Sequence, residues 1–128
     1  MRVQRILLVD DEAEIRRLVT RRLTRLGYAV TPVTDGSQAL AMLEQGPFNL
    51  AILDYMMPGM NGLELAAQCR LRDSSLKILI LTGSPVIAEI ETQGYLCLRK
   101  PLERLEELDQ AIERLLAPEG RNSGEGGG

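Results

Sequence analysis

The chain has 128 residues, a formal net charge of -3 and no histidine. That length fits one domain with a real core, and the small negative charge gives no broad pull toward nucleic acid. No apolar run approaches the ~20 residues that a membrane-spanning helix needs, and the opening Met1-Arg2-Val3-Gln4-Arg5 leads into a short strand, not a signal peptide. A cytoplasmic protein is therefore expected. Aromatic residues make up 3% of the chain against 45% apolar residues in total, so the core has to be aliphatic. Cys69 and Cys97 lie in expected helix and strand, with no CxxC spacing and no histidine to complete a zinc site. They read as small buried apolar residues in a reducing compartment.

Short apolar runs alternate with segments of helical period. The first strand is expected over about Gln4–Val9 and ends at the acids Asp10 and Asp11. Helix one follows over about Glu12–Leu26, with Ile15, Leu18, Val19, Leu23 and Leu26 on one face. Gly27 supplies a left-handed exit. The second strand, about Tyr28–Val33, carries Pro32. Proline cannot donate a ladder hydrogen bond, which argues for a sheet edge. Helix two, about Asp35–Gln45, opens with the capping-box pattern Asp35-x-x-Gln38.

The third strand, about Asn49–Leu53, is followed by Asp54. Helix three, about Gly62–Arg70, has Asn61 as cap and Glu64 at its third position. Strand four, about Lys77–Leu81, is followed by Thr82 and Gly83, and a short helix is expected over Pro85–Thr92. Strand five, about Tyr95–Leu98, leads to Lys100-Pro101. Helix five, about Leu102–Leu116, turns Leu105, Leu108, Ile112 and Leu115 inward. The final segment, 118–128, is Gly-rich, cannot repay its ordering entropy, and is expected to be a disordered tail or linker beyond a domain of residues 1–117.

Strict alternation of strand and helix implies parallel strands joined by right-handed crossovers. Strands one, three and four are continuous aliphatic runs, as expected when helices cover both faces. The fold class is therefore α/β, a doubly wound, flavodoxin-like five-stranded parallel sheet. With the second strand outermost, its order is 2-1-3-4-5, and strands one and three flank the switch point. Asp10, Asp11 and Asp54 then converge in one crevice.

Two carboxylates about 5 Å apart repel by roughly 3 kcal/mol at an effective dielectric of about 20. Three would raise one another's pKa unless a cation intervenes. Hard carboxylate oxygens suit Mg²⁺, which also takes water and phosphate oxygens. Asp54 is then free to act as a carboxylate nucleophile and form an aspartyl phosphate. Lys100 supplies a counter-charge for phosphoryl oxygens, and the Thr82 hydroxyl a donor to the same group. Gly83 leaves room for its approach. The plainer alternatives are a helix cap for Asp11, local turn bonding for Thr82 and a solvated Lys100.

Asp10-Asp11, Asp54 with Met57-Pro58-Gly59-Met60-Asn61-Gly62, Thr82-Gly83 and Lys100-Pro101 together resemble the receiver domain of bacterial two-component response regulators, including the chemotaxis regulators, over about residues 4–116. The resemblance implies that Asp54 is the phosphoacceptor and that Asp10 and Asp11 hold Mg²⁺. It also implies that the backbone carbonyl of Met56 joins the metal, that Thr82 is the switch hydroxyl and that Lys100 pairs with the phosphate. It implies a cis Lys100–Pro101 bond, a phosphoryl supply from a histidine kinase or histidine phosphotransfer protein, and self-dephosphorylation without turnover of another substrate. The family's output and dimerisation face is the fourth helix, fifth strand and fifth helix, so a homodimer is one expected assembly.

Two departures affect that face. The family's usual switch aromatic, three residues before the lysine, is Cys97 here, and Tyr95 shares its strand face two residues earlier. The interval from Thr82 to Lys100 is short, so helix four looks clipped. Phosphorylation chemistry is expected to be retained and the aromatic switch altered.

Arg16, Arg17, Arg21, Arg22 and Arg25 give helix one a basic face, which the glutamates Glu103, Glu106, Glu107 and Glu113 of helix five are expected to complement. Met56, Met57 and Met60 read as loop packing. No DNA-binding segment is seen up to Gly128, so output is expected through protein contacts or a domain beyond it. Two rivals remain. A degenerate receiver would bind partners without phosphorylation, but no acid or lysine is missing. An aspartyl-phosphate hydrolase resembling the haloacid dehalogenase group would need an aspartate where Met56 stands.

Overall fold

A computed structural model describes residues 2–118, so the expected tail lies outside the described residues apart from Pro118. Ten elements alternate along the chain: β1 (Arg5–Val9), α1 (Ala13–Arg25), β2 (Ala29–Val33), α2 (Gly36–Gln45), β3 (Leu50–Asp54), α3 (Gly62–Arg72), β4 (Lys77–Thr82), α4 (Ile87–Thr92), β5 (Leu96–Arg99) and α5 (Leu105–Leu116). The five strands form one parallel sheet of order β2-β1-β3-β4-β5. Pro32 does stand on an edge strand, opposite Leu8 of β1. Among the described residues, no helix is long and apolar enough to cross a membrane.

The strands' two-residue period divides the core into two layers. Leu7, Val9, Ala51, Leu53, Ile78 and Ile80 face Ala39, Leu65, Ala66 and Ile90 from α2, α3 and α4. Ile6, Leu8, Leu50, Ile52, Leu79 and Leu81 face Val19 and Leu23 of α1 and Leu108 and Ile112 of α5. β3 is buried along its whole length, as a central parallel strand covered on both faces must be.

Local signals set several element ends as expected. Gly27 has φ +99°. Asn61 and Glu64 form a reciprocal capping box on α3. At α2, Asp35 accepts from the Gln38 backbone N–H, but the Gln38 side chain reaches back to Thr34 N–H instead of Asp35. Other expectations are corrected. α5 begins at Leu105, not Leu102, because the chain leaves the cis Lys100–Pro101 bond through a turn in which Glu103 N–H donates to the Pro101 carbonyl. On α1 only Val19 and Leu23 are fully buried. Leu18 and Leu26 are exposed, because the apolar stripe is wider than the surface α5 covers. Between α1 and α5, Arg22 is ion-paired with Asp109, by a bond from Nε (3.2 Å) and another from Nη2, and the expected Glu106 adds its charge at longer range.

Gly62 fixes how closely α3 docks beneath the site. A Cβ there would lie 2.7 Å from the Asp54 carbonyl oxygen and 2.8 Å from Tyr55 Cα. Both are backbone atoms that cannot move aside. Gly62→Ala is expected to destabilise the fold by about 1–3 kcal/mol through overpacking. At Gly83 a Cβ would meet nothing nearer than 3.8 Å, so Gly83→Ala should stay within about 0.5 kcal/mol of wild type. Urea midpoints of the two variants check the contrast.

Candidate functional site

The C-terminal ends of β1, β3, β4 and β5 deliver one side chain each to the same rim of the sheet. The ladder continues past the strand ends to hold them there: Asp10 N–H donates to the Val33 carbonyl (3.2 Å), Tyr55 N–H to Leu81 (2.8 Å) and Lys100 N–H to Thr82 (2.8 Å). Above them opens a cleft of about 820 Å³ lined by Asp11, Glu12, Asp54, Met56, Lys100 and neighbouring loop residues. This is the position where doubly wound sheets offer a crevice.

Lys100 Nζ lies 2.9 Å from Asp10 Oδ2, 2.8 Å from Glu12 Oε1 and 3.2 Å from Asp54 Oδ1. Asp10 is fully buried and Asp54 nearly so. Asp10 Oδ1 accepts from the Glu12 backbone N–H (2.9 Å). Its Oδ2 touches the ammonium without an aligned hydrogen bond, and no other donor reaches it. Carboxylate oxygens of Asp10, Glu12 and Asp54 lie within 4.8 Å of one another. Clustered hard oxygens, one of them buried and without a directed donor, fit a hard divalent cation.

Three acids, Asp10, Glu12 and Asp54, touch one ammonium here, and Asp11 lines the same cleft. Burial and then the charge of Asp10 push the Asp54 carboxyl up to about 7, against the opposing pull of Lys100. For Lys100, burial works downward. The hydrogen bond to Glu12, the close contact with Asp10 and the charges of Asp54 and Asp10 outweigh it, so the ammonium is held above its ordinary range.

Asp10, Asp54 and Lys100 therefore meet as the sequence suggested. Asp11 and Met56 line the cleft. Asp11 lies outside the tight carboxylate cluster, and its charge raises the Asp54 pKa less than burial or Asp10 does. Asp11 does not cap α1 either: Glu12 occupies that position and makes no side-chain capping bond. Of the three methionines, Met57 packs into the core while Met56 is exposed. Thr82 is fully buried under the lining residues Gly83 and Ser84. Its hydroxyl oxygen accepts from the Ser84 backbone N–H (2.9 Å), which is the local turn bond weighed above.

Tyr95 and Cys97 lie away from the cleft, against the α2–α3–α4 side of the core. Cys97 is opposite Ile80 in register, and the Arg70 guanidinium stands 5.8 Å from the Tyr95 ring centroid. Both cysteines are free and buried, and burial pushes each thiol up to about 11. Sequence reasoning missed Glu12. The available signal was its place as the third acid of the run Asp10-Asp11-Glu12.

The profile of the response regulator receiver domain family matches residues 6–113. The chain is 38% identical over 86 residues to the response regulator receiver protein CpdR of Brucella abortus, covering 67% of this chain and 72% of that protein. It is 37% identical over 118 residues to the transcriptional regulatory protein TctD of Salmonella typhimurium, covering 88% of this chain but only 51% of that longer protein. Among solved structures, the Thermotoga maritima response regulator TrrA in complex with Mg²⁺-BeF aligns with a TM-score of 0.81 at 33% identity, over 89% of this chain and all of that one. TrrA in complex with the histidine kinase ThkA aligns with a TM-score of 0.80 at 33% identity, over 90% of this chain and all of that one.

Asp54 carries a pH signature. Its folded value of about 7 lies above the unfolded value of about 3.9, so the native state binds more protons between them. The stability this gives is present below about pH 4 and is lost as pH rises toward about 7. In metal-free buffer, the stability of wild type relative to Asp54→Asn should fall across that window. Urea midpoints at intervals from pH 4 to 8 measure it; a flat difference above pH 5 would show an ordinary carboxylate.

Proposed function

The chain belongs to the response regulator receiver domain family, and on that premise we propose that it is a signalling phosphoacceptor that takes a phosphoryl group onto Asp54. The observation that carries the reading is the contact of Lys100 with Asp54 and Asp10 at the sheet rim. One group in this triangle supplies a nucleophilic oxygen, one a counter-charge and one a hard metal donor.

In the proposed reaction, an Asp54 carboxylate oxygen attacks the phosphorus of a phosphohistidine on a histidine kinase or histidine phosphotransfer protein. A P–O bond forms and the P–N bond breaks. The departing nitrogen takes the bonding electrons, and the proton on the other ring nitrogen makes the leaving group neutral imidazole. Lys100 stays protonated throughout, which its raised pKa favours, and pairs with the transferred oxygens. Asp10 and Asp11, Asp54 itself and the Met56 carbonyl are the proposed holders of Mg²⁺. When bound, the ion would offset the carboxylates' repulsion and the charge on the phosphoryl oxygens. The Mg²⁺-BeF complex of TrrA supports that choice of metal, and the ThkA complex supports a kinase partner.

Thr82 is the proposed switch hydroxyl. Its oxygen already accepts from Ser84 N–H, and its own proton remains to be donated to the phosphoryl group. With Cys97 in the aromatic's place, the change at Thr82 is proposed to pass to the Tyr95 side of the core. The protein is proposed to work in the cytoplasm and to turn over no substrate besides its own acyl phosphate.

Incubation with acetyl phosphate and Mg²⁺ is expected to add the mass of one phosphoryl group to the intact protein. Asp54→Asn and chelation of the metal should each abolish the addition. Lys100→Met should slow it roughly a hundredfold, the cost of one preorganised electrostatic contact. An unmodified wild-type protein would leave it a binding module that works without phosphorylation.

A further inference from the structure

Lys100 has three N–H donors, and three carboxylates stand within ion-pairing distance of them: Asp10, Glu12 and Asp54. Its aligned hydrogen bond goes to Glu12 Oε1 (2.8 Å). A phosphoryl oxygen that takes that N–H has to displace Glu12. Asp10 is buried, and withdrawing it would leave a desolvated charge without its partner, while Asp54 gives up its own charge on becoming the acyl phosphate. The Glu12 side chain is 61% exposed, so water can take over its carboxylate at little cost.

The attachment of Glu12 fits such a movement. Its backbone N–H is fixed by Asp10 Oδ1, while its side chain makes no capping bond to α1. The side chain can swing away without loosening the helix start. Its carboxylate also shares the 4.8 Å cluster with Asp54, so a phosphoryl dianion on Asp54 would meet a like charge until Glu12 turned outward.

We propose that Glu12 is a positioning residue that holds Lys100 over the acceptor carboxylate in the resting protein and gives up its place to the phosphoryl group. The proposal rests on the phosphoacceptor reading and deepens it. It assigns Glu12 a role distinct from metal holding: Glu12 competes with the phosphoryl group for one ammonium. Removing its charge therefore strengthens the loaded state.

Beryllofluoride with Mg²⁺ serves as the tetrahedral probe, and Glu14→Gln, which removes an equal charge two residues along the chain, is the control. Glu12→Gln is expected to bind beryllofluoride about two- to fivefold more tightly than wild type, the scale of one exposed ion pair. Glu14→Gln should match wild type, and Mg²⁺ alone should bind both variants alike. By NMR without ligand, the Lys100 side-chain resonances should shift in Glu12→Gln and not in Glu14→Gln. In wild type, saturating beryllofluoride should move the Glu12 carboxyl carbon resonance. Equal beryllofluoride affinity in Glu12→Gln and wild type, or an unmoved Glu12 resonance, would overturn the proposal alone. Mg²⁺ binding weakened only in Glu12→Gln would also overturn it, by making Glu12 a metal holder. Wild-type protein that binds Mg²⁺ but no beryllofluoride would overturn both the proposal and the reading beneath it.

Discussion

The contact on which the rest of this molecule turns is the ammonium of Lys100 lodged among carboxylates at the sheet rim. Asp10 and Asp54 are buried, and two buried charges of one sign are tolerated only with a counter-charge at contact distance. One lysine is too little for the three acids it touches. Burial first, and the charge of Asp10 after it, leave Asp54 a carboxyl that resists ionisation. A rim left short of positive charge is chemically prepared to receive a divalent cation, and this links the fold to the proposed chemistry.

The scaffold supplies rigidity where that imbalance needs it. β3 has no exposed residue, and its neighbours β1 and β4 bring Asp10 and Thr82 to the same level. The close seat of α3 under the β3–α3 loop depends on a missing side chain at Gly62. Asp10, Asp54 and Lys100 are thus held at the strand ends, while Met56 and Glu12 stand exposed around them. The buried groups would suit the proposed bond-making step, and the exposed Glu12 side chain the proposed competition for Lys100.

Much of this was legible in the sequence, and the reasons differ element by element. Aliphatic runs ending in Asp10, Asp54 and Thr82 marked strands because burial on both faces leaves no other pattern, and Pro32 marked an edge because it lacks a donor. Glu12 was not legible as a site residue. An acid at a helix start is explained by capping alone, and only the fold shows that a lysine distant in the chain stands opposite it. The delayed start of α5 was hidden for a similar reason: Leu102 continues the helical period, and the turn at Pro101 overrides it. Leu18 and Leu26 fit the buried stripe of α1, but periodicity cannot report how far a neighbouring helix extends. The burial of Thr82 under Gly83 and Ser84 likewise depends on the course of a loop.

Pro32 on β2 has a consequence beyond topology. An open sheet has two outer strands whose unpaired amides and carbonyls invite a stranger's backbone. On one margin a proline removes one of the amides such an intruder would need. On the other, β5 is only four residues long. Neither margin offers a long, fully paired run of backbone to such an intruder.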